Sequence, residues 1–184
     1  MIKKKLFVLP VILFTILFSS CSSDDDVIDR LRTLNDIPAN ADVNFEYLPI
    51  NIFAIPIETS IDLRQLIENE LGTDEVLNQV KDIQLDDMDI ELISADDQEN
   101  FDFIDSVTLG IRTSDLEYKE VATLDNIPAG LTTLDLNTVE GLNIDEYAKS
   151  ESLKLVIKFK STQDANNIKL KLKMKFDAKL DPSL

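Results

Sequence analysis

Thirty-five aspartates and glutamates, one cysteine and no histidine set the chemical repertoire of this chain. Without histidine there is no imidazole general base, no Ser-His-Asp triad and no access to the commonest zinc ligand. The four glycines, Gly72, Gly110, Gly130 and Gly141, are too dispersed to form a phosphate-cradling loop. Carboxylate pairs of the kind that hydrolyse glycosides are so abundant that they carry no signal. There is also no tryptophan on which a sugar ring would stack. The expectation is a protein that is not an enzyme. Calcium is the metal such a composition suits, because it takes oxygen ligands. Two stretches are rich in them, "DDMDIE" (Asp86 to Glu91) and "SADDQEN" (Ser94 to Asn100). Neither has the sharp-turn glycine of a calcium loop. In the first, alternation turns Asp87, Asp89 and Glu91 outward from one strand face. In the second, Asp96, Asp97 and Glu99 fall on a loop; plain solvation and no bound metal or cofactor is the expectation, with calcium on these three as the alternative.

The remaining reactive group is the thiol of Cys21, which follows an oily run. Lys3, Lys4 and Lys5 precede an almost unbroken apolar stretch from Leu6 to Phe18, interrupted by Pro10. That is the length of a signal-peptide core. It is short of the roughly 20 residues that cross a bilayer. Ser19 and Ser20 are small, as a signal peptidase requires, and a lone cysteine in an exported chain has no disulfide partner.

"LFSSC" thus resembles the lipobox of bacterial lipoproteins, with Phe18 standing where an aliphatic residue is usual. The resemblance implies diacylglycerol and an N-acyl chain, palmitate among them, on Cys21, and cleavage after residue 20. A buried methylene contributes about 0.8 kcal/mol and one myristoyl chain holds only marginally, so two or three chains hold firmly. The next residues, Ser22, Ser23, Asp24, Asp25 and Asp26, are similar to the acidic export stretch of lipoproteins of the Bacteroidota. That resemblance implies an outer-membrane, lipid-anchored protein facing the extracellular side. Read without it, the acids are a solvated tether, since like charges repel.

Net charge is −17, and removal of a signal peptide carrying three lysines would make it more negative. Binding to nucleic acid rests on cations against phosphate, so no nucleic-acid partner is expected. From Lys149 onward, however, nine lysines meet only four acids. Three explanations stay open: lysines paired across strands with acids, lysines that keep an exposed strand from edge pairing, or a basic stripe for an anionic glycan or protein partner.

These groups need elements to hold them. Val43, Phe45 and Tyr47 alternate as in a half-buried strand, and Ile52 to Ile57 reads as a second one, placed at an edge or bulge by Pro56. Ile61, Leu63, Leu66, Ile67 and Leu71 have helical spacing, with Thr59 or Ser60 to cap the start and Gly72 the end. Thr73 or Asp74 would cap a second short helix through Val80. Ile83 and Leu85 are out of phase with Met88, Ile90 and Leu92, which predicts a bulge at Asp86–Asp87. Val107, Leu109 and Ile111 define a further strand; "KEVATL" and "TTLDLNTV" are shorter ones. "EGLNIDEYAK" is a loop with a helical turn packing Tyr147. Leu153, Leu155, Ile157 and Phe159 alternate with lysines, Val156 being the exception. "NIKLKLKMKFDAKL" puts Ile168, Leu170, Leu172, Met174, Phe176, Ala178 and Leu180 on one face, with "STQDANN" as a hairpin turn between the two runs. "TLNDIPAN" echoes "TLDNIPAG" (Thr33 and Thr123 onward), which suggests a shared type I turn. "DSV" (Asp105 to Val107) resembles a short O-glycosylation signal.

The fold expected is mainly β: an antiparallel β-sandwich, immunoglobulin-like in the broad sense, with one or two short helices near residues 60–80. A single antiparallel sheet with helices on one face is the alternative. Residues 1–20 read as signal peptide, 21–35 as tether and 36–184 as one domain. The function expected is a non-catalytic accessory, adhesion or assembly role, with the membrane held through the lipid anchor and a protein or glycan as partner. A carbohydrate- or ligand-binding accessory of an outer-membrane uptake system is the runner-up, and a pilus-type subunit comes third.

Overall fold

The computed structural model describes residues 33–51, 55–72 and 77–181. The lipobox, the acidic stretch, Ile52 to Ala54 and the proposed caps Thr73 and Asp74 lie outside them. Two antiparallel sheets pack face to face, as the alternating runs predict. In chain order the strands are β1 (Thr33–Leu48), β2 (Ile55–Ser60), β3 (Val80–Asp96), β4 (Ile104–Arg112), β5 (Lys119–Asp125), β6 (Thr133–Asp135), β7 (Asn137–Thr138), β8 (Lys154–Ser161) and β9 (Ala165–Leu180). One sheet has the order β1-β9-β3-β6 and the other β2-β8-β4-β5-β7. The helices are α1 (Leu63–Leu71) and α2 (Asp145–Ala148), with a 3₁₀ turn at Leu77–Gln79.

The core forms where the inward faces meet. Met88, Ile90 and Leu172 of one sheet and Val107, Leu109 and Ile157 of the other are fully buried. On β9 every apolar residue from Ile168 to Ala178 is buried and Leu180 nearly so, while the lysines between them face out. The phase slip in β3 is a register shift between Leu85 and Asp87, where the two-residue period predicts it. Pro56 sits on β2, an edge strand, where its missing N–H is harmless.

Several expectations are corrected. Strand β1 already includes Thr33, Leu34 and Asn35, the last residues of the span read as tether. "TLNDIPAN" is not a turn: it lies within β1. What it shares with "TLDNIPAG" is a left-handed residue at the fourth position, Asp36 (φ 56) and Asn126 (φ 54). Asp and Asn tolerate that conformation better than most residues. Helix α1 is capped by Asp62, whose carboxylate accepts from the Gln65 N–H, because Thr59 and Ser60 are consumed by β2. Gly72 closes the helix in the left-handed conformation, as read. Val80 opens β3 rather than ending a helix. "TTLDLNTV" splits: Leu134 stays with β3 in one sheet, and Asn137 and Thr138, directly after Leu136, pair with β5 in the other. Finally, β8 and β9 are not a hairpin; they belong to different sheets, and Thr162 to Asp164 arch between them.

Val156, the exception on β8, is buried on the outer face, opposite Gly110 in register. The Tyr118 ring lies over Gly110 so closely that a Cβ there would sit 2.1 Å from its Cε2. Lys158 Nζ is 3.4 Å from the centroid of that ring. The glycine therefore leaves the room that the tyrosine ring occupies. Gly110→Ala should destabilise the protein by about 1–3 kcal/mol in urea unfolding, the usual range for an overpacked site. In a Tyr118→Ala background most of that loss should disappear, because the clash has gone.

Candidate functional site

The two ends of the sandwich differ. At one end the chain enters β1, where the Asp36 N–H donates to Asp177 Oδ1 near the close of β9. Helix α1 joins this end through Arg64, which bonds Glu68 and Glu151. Helix α2 joins it through Asp145, which accepts from the Ile83 N–H. The opposite end is closed by four loops tied to one another. Ile50 N–H donates to Asp164, Phe101 N–H to the Leu131 carbonyl, Gly130 N–H to Asp102 and Thr162 N–H to the Phe103 carbonyl. Phe101 and Phe103 stack beneath them at 6.2 Å.

This far end carries exposed apolar side chains. Tyr47 is 53% and Ile50 62% exposed. Partial loss of water and the nearby Asp164 carboxylate raise the Tyr47 phenol above its ordinary pKa. Just before Tyr47, Asn44, Phe45 and Glu46 line a shallow groove of about 300 Å³ with Asn167, Ile168 and Lys169. Phe45 forms part of its floor and stacks inward on Phe159 at 6.2 Å. Tyr118, by contrast, is not a free aromatic: it is half-buried under Lys158 and its hydroxyl is buried.

The outer face of the β1-β9-β3-β6 sheet is an array of opposite charges. Lys173 meets Glu91 at 2.8 Å, Lys175 meets Asp87 at 2.9 Å and Asp36 at 3.8 Å, and Lys179 meets Asp82 at 3.2 Å. This supports cross-strand pairing as the reason for the C-terminal lysines. Protection of an exposed edge is overturned, since β9 lies inside its sheet. Lys169 and Lys171, near the far end, have no ion pair within 4 Å among the described residues.

Cys21 and the export residues Ser22, Ser23, Asp24, Asp25 and Asp26 lie outside the described residues. Asp96, Asp97 and Glu99 are all exposed at the end of β3 and its turn, and Asp96 accepts from Asn167 at 2.6 Å. Among the described residues the acids whose ligand oxygens converge within 4.8 Å are instead Asp87, Asp89 and Asp135. Alternation along β3 foretold that Asp87 and Asp89 share a face; Asp135 arrives through the β3–β6 pairing, in register with Asp89. Three oxygens are fewer than calcium takes, and Asp87 is already held by Lys175. Ser106 of the "DSV" stretch sits half-buried within β4, between β5 and β8.

Asp89 is the strained member. Burial raises its pKa first, then the charges of Asp87 and Asp135, against the pull of Lys173 and Lys175. Glu58 and Glu91 go the other way, held below the usual range chiefly by hydrogen bonds from Arg112 and Lys173. Comparison with models of protein families and with curated proteins finds no match.

The signs give a pH test. A raised acid binds its proton more tightly folded than unfolded, so ionising Asp89 lowers stability as pH rises through its folded value. Asp89→Asn should therefore raise the urea midpoint at neutral pH, and the gain should shrink as pH falls toward the unfolded aspartate value of about 4. Glu91→Gln should do the opposite, losing stability at neutral pH and little in acid below its folded value, because a lowered acid contributes only when ionised.

Proposed function

We propose that this chain is a lipid-anchored outer-membrane protein facing the extracellular side, with a non-catalytic accessory, adhesion or assembly role. The carrying observation is the order of features along the chain. An oily run ends at small residues and Cys21, an acidic stretch follows, and then a folded body begins. In that body β1 runs 16 residues from the end where the chain enters to the end bearing Tyr47 and Ile50. At about 3.3 Å per residue the strand spans roughly 50 Å. Tyr47 and Ile50 thus lie about a strand's length from Thr33, the first described residue. The acidic charge suits solubility at a crowded surface.

A second reading, a carbohydrate- or ligand-binding accessory of an uptake system, is favoured by the groove of Phe45 and the exposed Tyr47 that follows it. An aromatic face with flanking amides is what a sugar ring uses. In that case Tyr47→Ala should abolish signals that the full chain gives on a glycan array. Array signals indifferent to Tyr47 would remove the reason for this reading.

The anchor has its own test. Cys21→Ser should leave uncleaved precursor and no incorporation of labelled palmitate, and globomycin should reproduce the block on cleavage. Replacing Asp24, Asp25 and Asp26 with Asn should keep the lipid but protect the protein from protease added to intact cells. Maturation without fatty acid would overturn the proposal.

A further inference from the structure

We propose that the free edge of β1 from Ala39 to Leu48 docks an extended segment of another protein in which apolar residues alternate with lysine or arginine. Among the described residues the sheets have four edge strands: β1 and β6 in one sheet, β2 and β7 in the other. Strand β6 has three residues, β7 has two, and β2 carries Pro56. Strand β1 is 16 residues long and, among the described residues, paired on one side only, with β9.

Long edges are normally blunted by proline, bulges or lysine. On β1 those devices are confined to the start, where Asp36 has φ 56 and Pro38 lacks an N–H. From Ala39 to Leu48 there is no proline, no glycine, no positive φ and no basic residue. Among the described residues, about ten residues of backbone edge are thus presented unblocked.

The side chains say what fits. Asn40, Asp42, Asn44 and Glu46 are exposed, and the residues between them point inward. Of those, Ala41 and Phe45 remain partly uncovered at the seam between the sheets. Asp42 and Glu46 have no ion pair within 4 Å among the described residues. A second copy of β1 would set carboxylate against carboxylate with no base, which is unfavourable across a strand pair. A segment alternating apolar and basic residues would bring cations to Asp42 and Glu46 and lay apolar side chains over Ala41 and Phe45. Strand β9, on the other side of β1, already has that pattern, and its Lys175 approaches Asp36. Backbone pairing along an open edge, with alternate side chains giving specificity, is an established way of recognising extended peptides.

The proposal deepens the assembly reading by naming the partner's chemistry, but it rests on the edge and not on lipid. It is therefore tested on the full chain in detergent, whether or not Cys21 is acylated. The probe is a fluorescent peptide alternating valine with lysine and threonine, beside a scrambled peptide of the same composition. The ordered peptide should bind saturably and slow amide exchange between Ala39 and Leu48. Asp42→Lys with Glu46→Lys should weaken it about tenfold, as loss of two exposed pairs allows. Asp42→Asn with Glu46→Gln should weaken it less. Glu120→Lys with Glu140→Lys, elsewhere on the acidic surface, should change affinity by no more than about twofold. Equal binding of the scrambled peptide, protection elsewhere, indifference to Asp42 and Glu46, or a dimer of the chain closed through β1 would each overturn it.

Discussion

The two-residue period of β9 is the constraint on which the rest of this molecule depends. As an inner strand of its sheet it must satisfy β1 on one side and β3 on the other, and present an apolar face to the second sheet. Its sequence does all three with one alternation, apolar inward and lysine outward. The inward set supplies much of one wall of the core. The outward set neutralises part of an acid-rich surface that would otherwise repel itself. The two roles are inseparable, because a one-residue slip would bury the lysines and expose the core. The bulge at Leu85–Asp87 keeps β3 in step with this strand: it lets Ile83 and Leu85 face the same way as Met88 and Ile90 even though their spacing in sequence is odd.

What was legible in the sequence follows from this. Alternation is a local property, so the strands, the inward residues, the bulge and the left-handed cap at Gly72 were readable one by one. Pairing is not local. The runs that became β8 and β9 look like a hairpin because both alternate and a polar turn joins them, yet nothing in either says which sheet it enters. "TTLDLNTV" reads as one strand for the same reason: its alternation continues while the chain changes sheets at Leu136. The cap at Asp62 was missed because Thr59 and Ser60 are equally good caps until β2 pairs with β8 and claims them. The left-handed residues at Asp36 and Asn126 left a visible trace, an echo in sequence, but proline drew the turn to the wrong place.

The chemistry was legible to a similar depth. That Asp87 and Asp89 share a face is a matter of period. That Asp135 joins them depends on β6 pairing with β3, which a three-residue strand cannot announce. The loop acids Asp96, Asp97 and Glu99 drew attention by proximity in sequence, and the fold leaves all three exposed, with Asp96 bonded to Asn167. Lone aromatics behaved likewise: Tyr47 and Tyr118 look equivalent in the sequence, and only the glycine beneath Tyr118 shows that its ring is structural.

Charge ties these observations to surface behaviour. On β3, Asp82, Asp87 and Glu91 are opposed by lysines of β9, so there the charges hold the sheet together. Asp42 and Glu46 on the upper part of β1 have no ion pair among the described residues, so there the charge is open to the surroundings. An unblunted edge without charge would pair with its own kind and aggregate. An edge with carboxylates at Asp42 and Glu46 repels its own copies while its backbone stays available. In the docking we propose, selectivity would come from the outward side chains of β1, and affinity from its backbone, which is common to every strand.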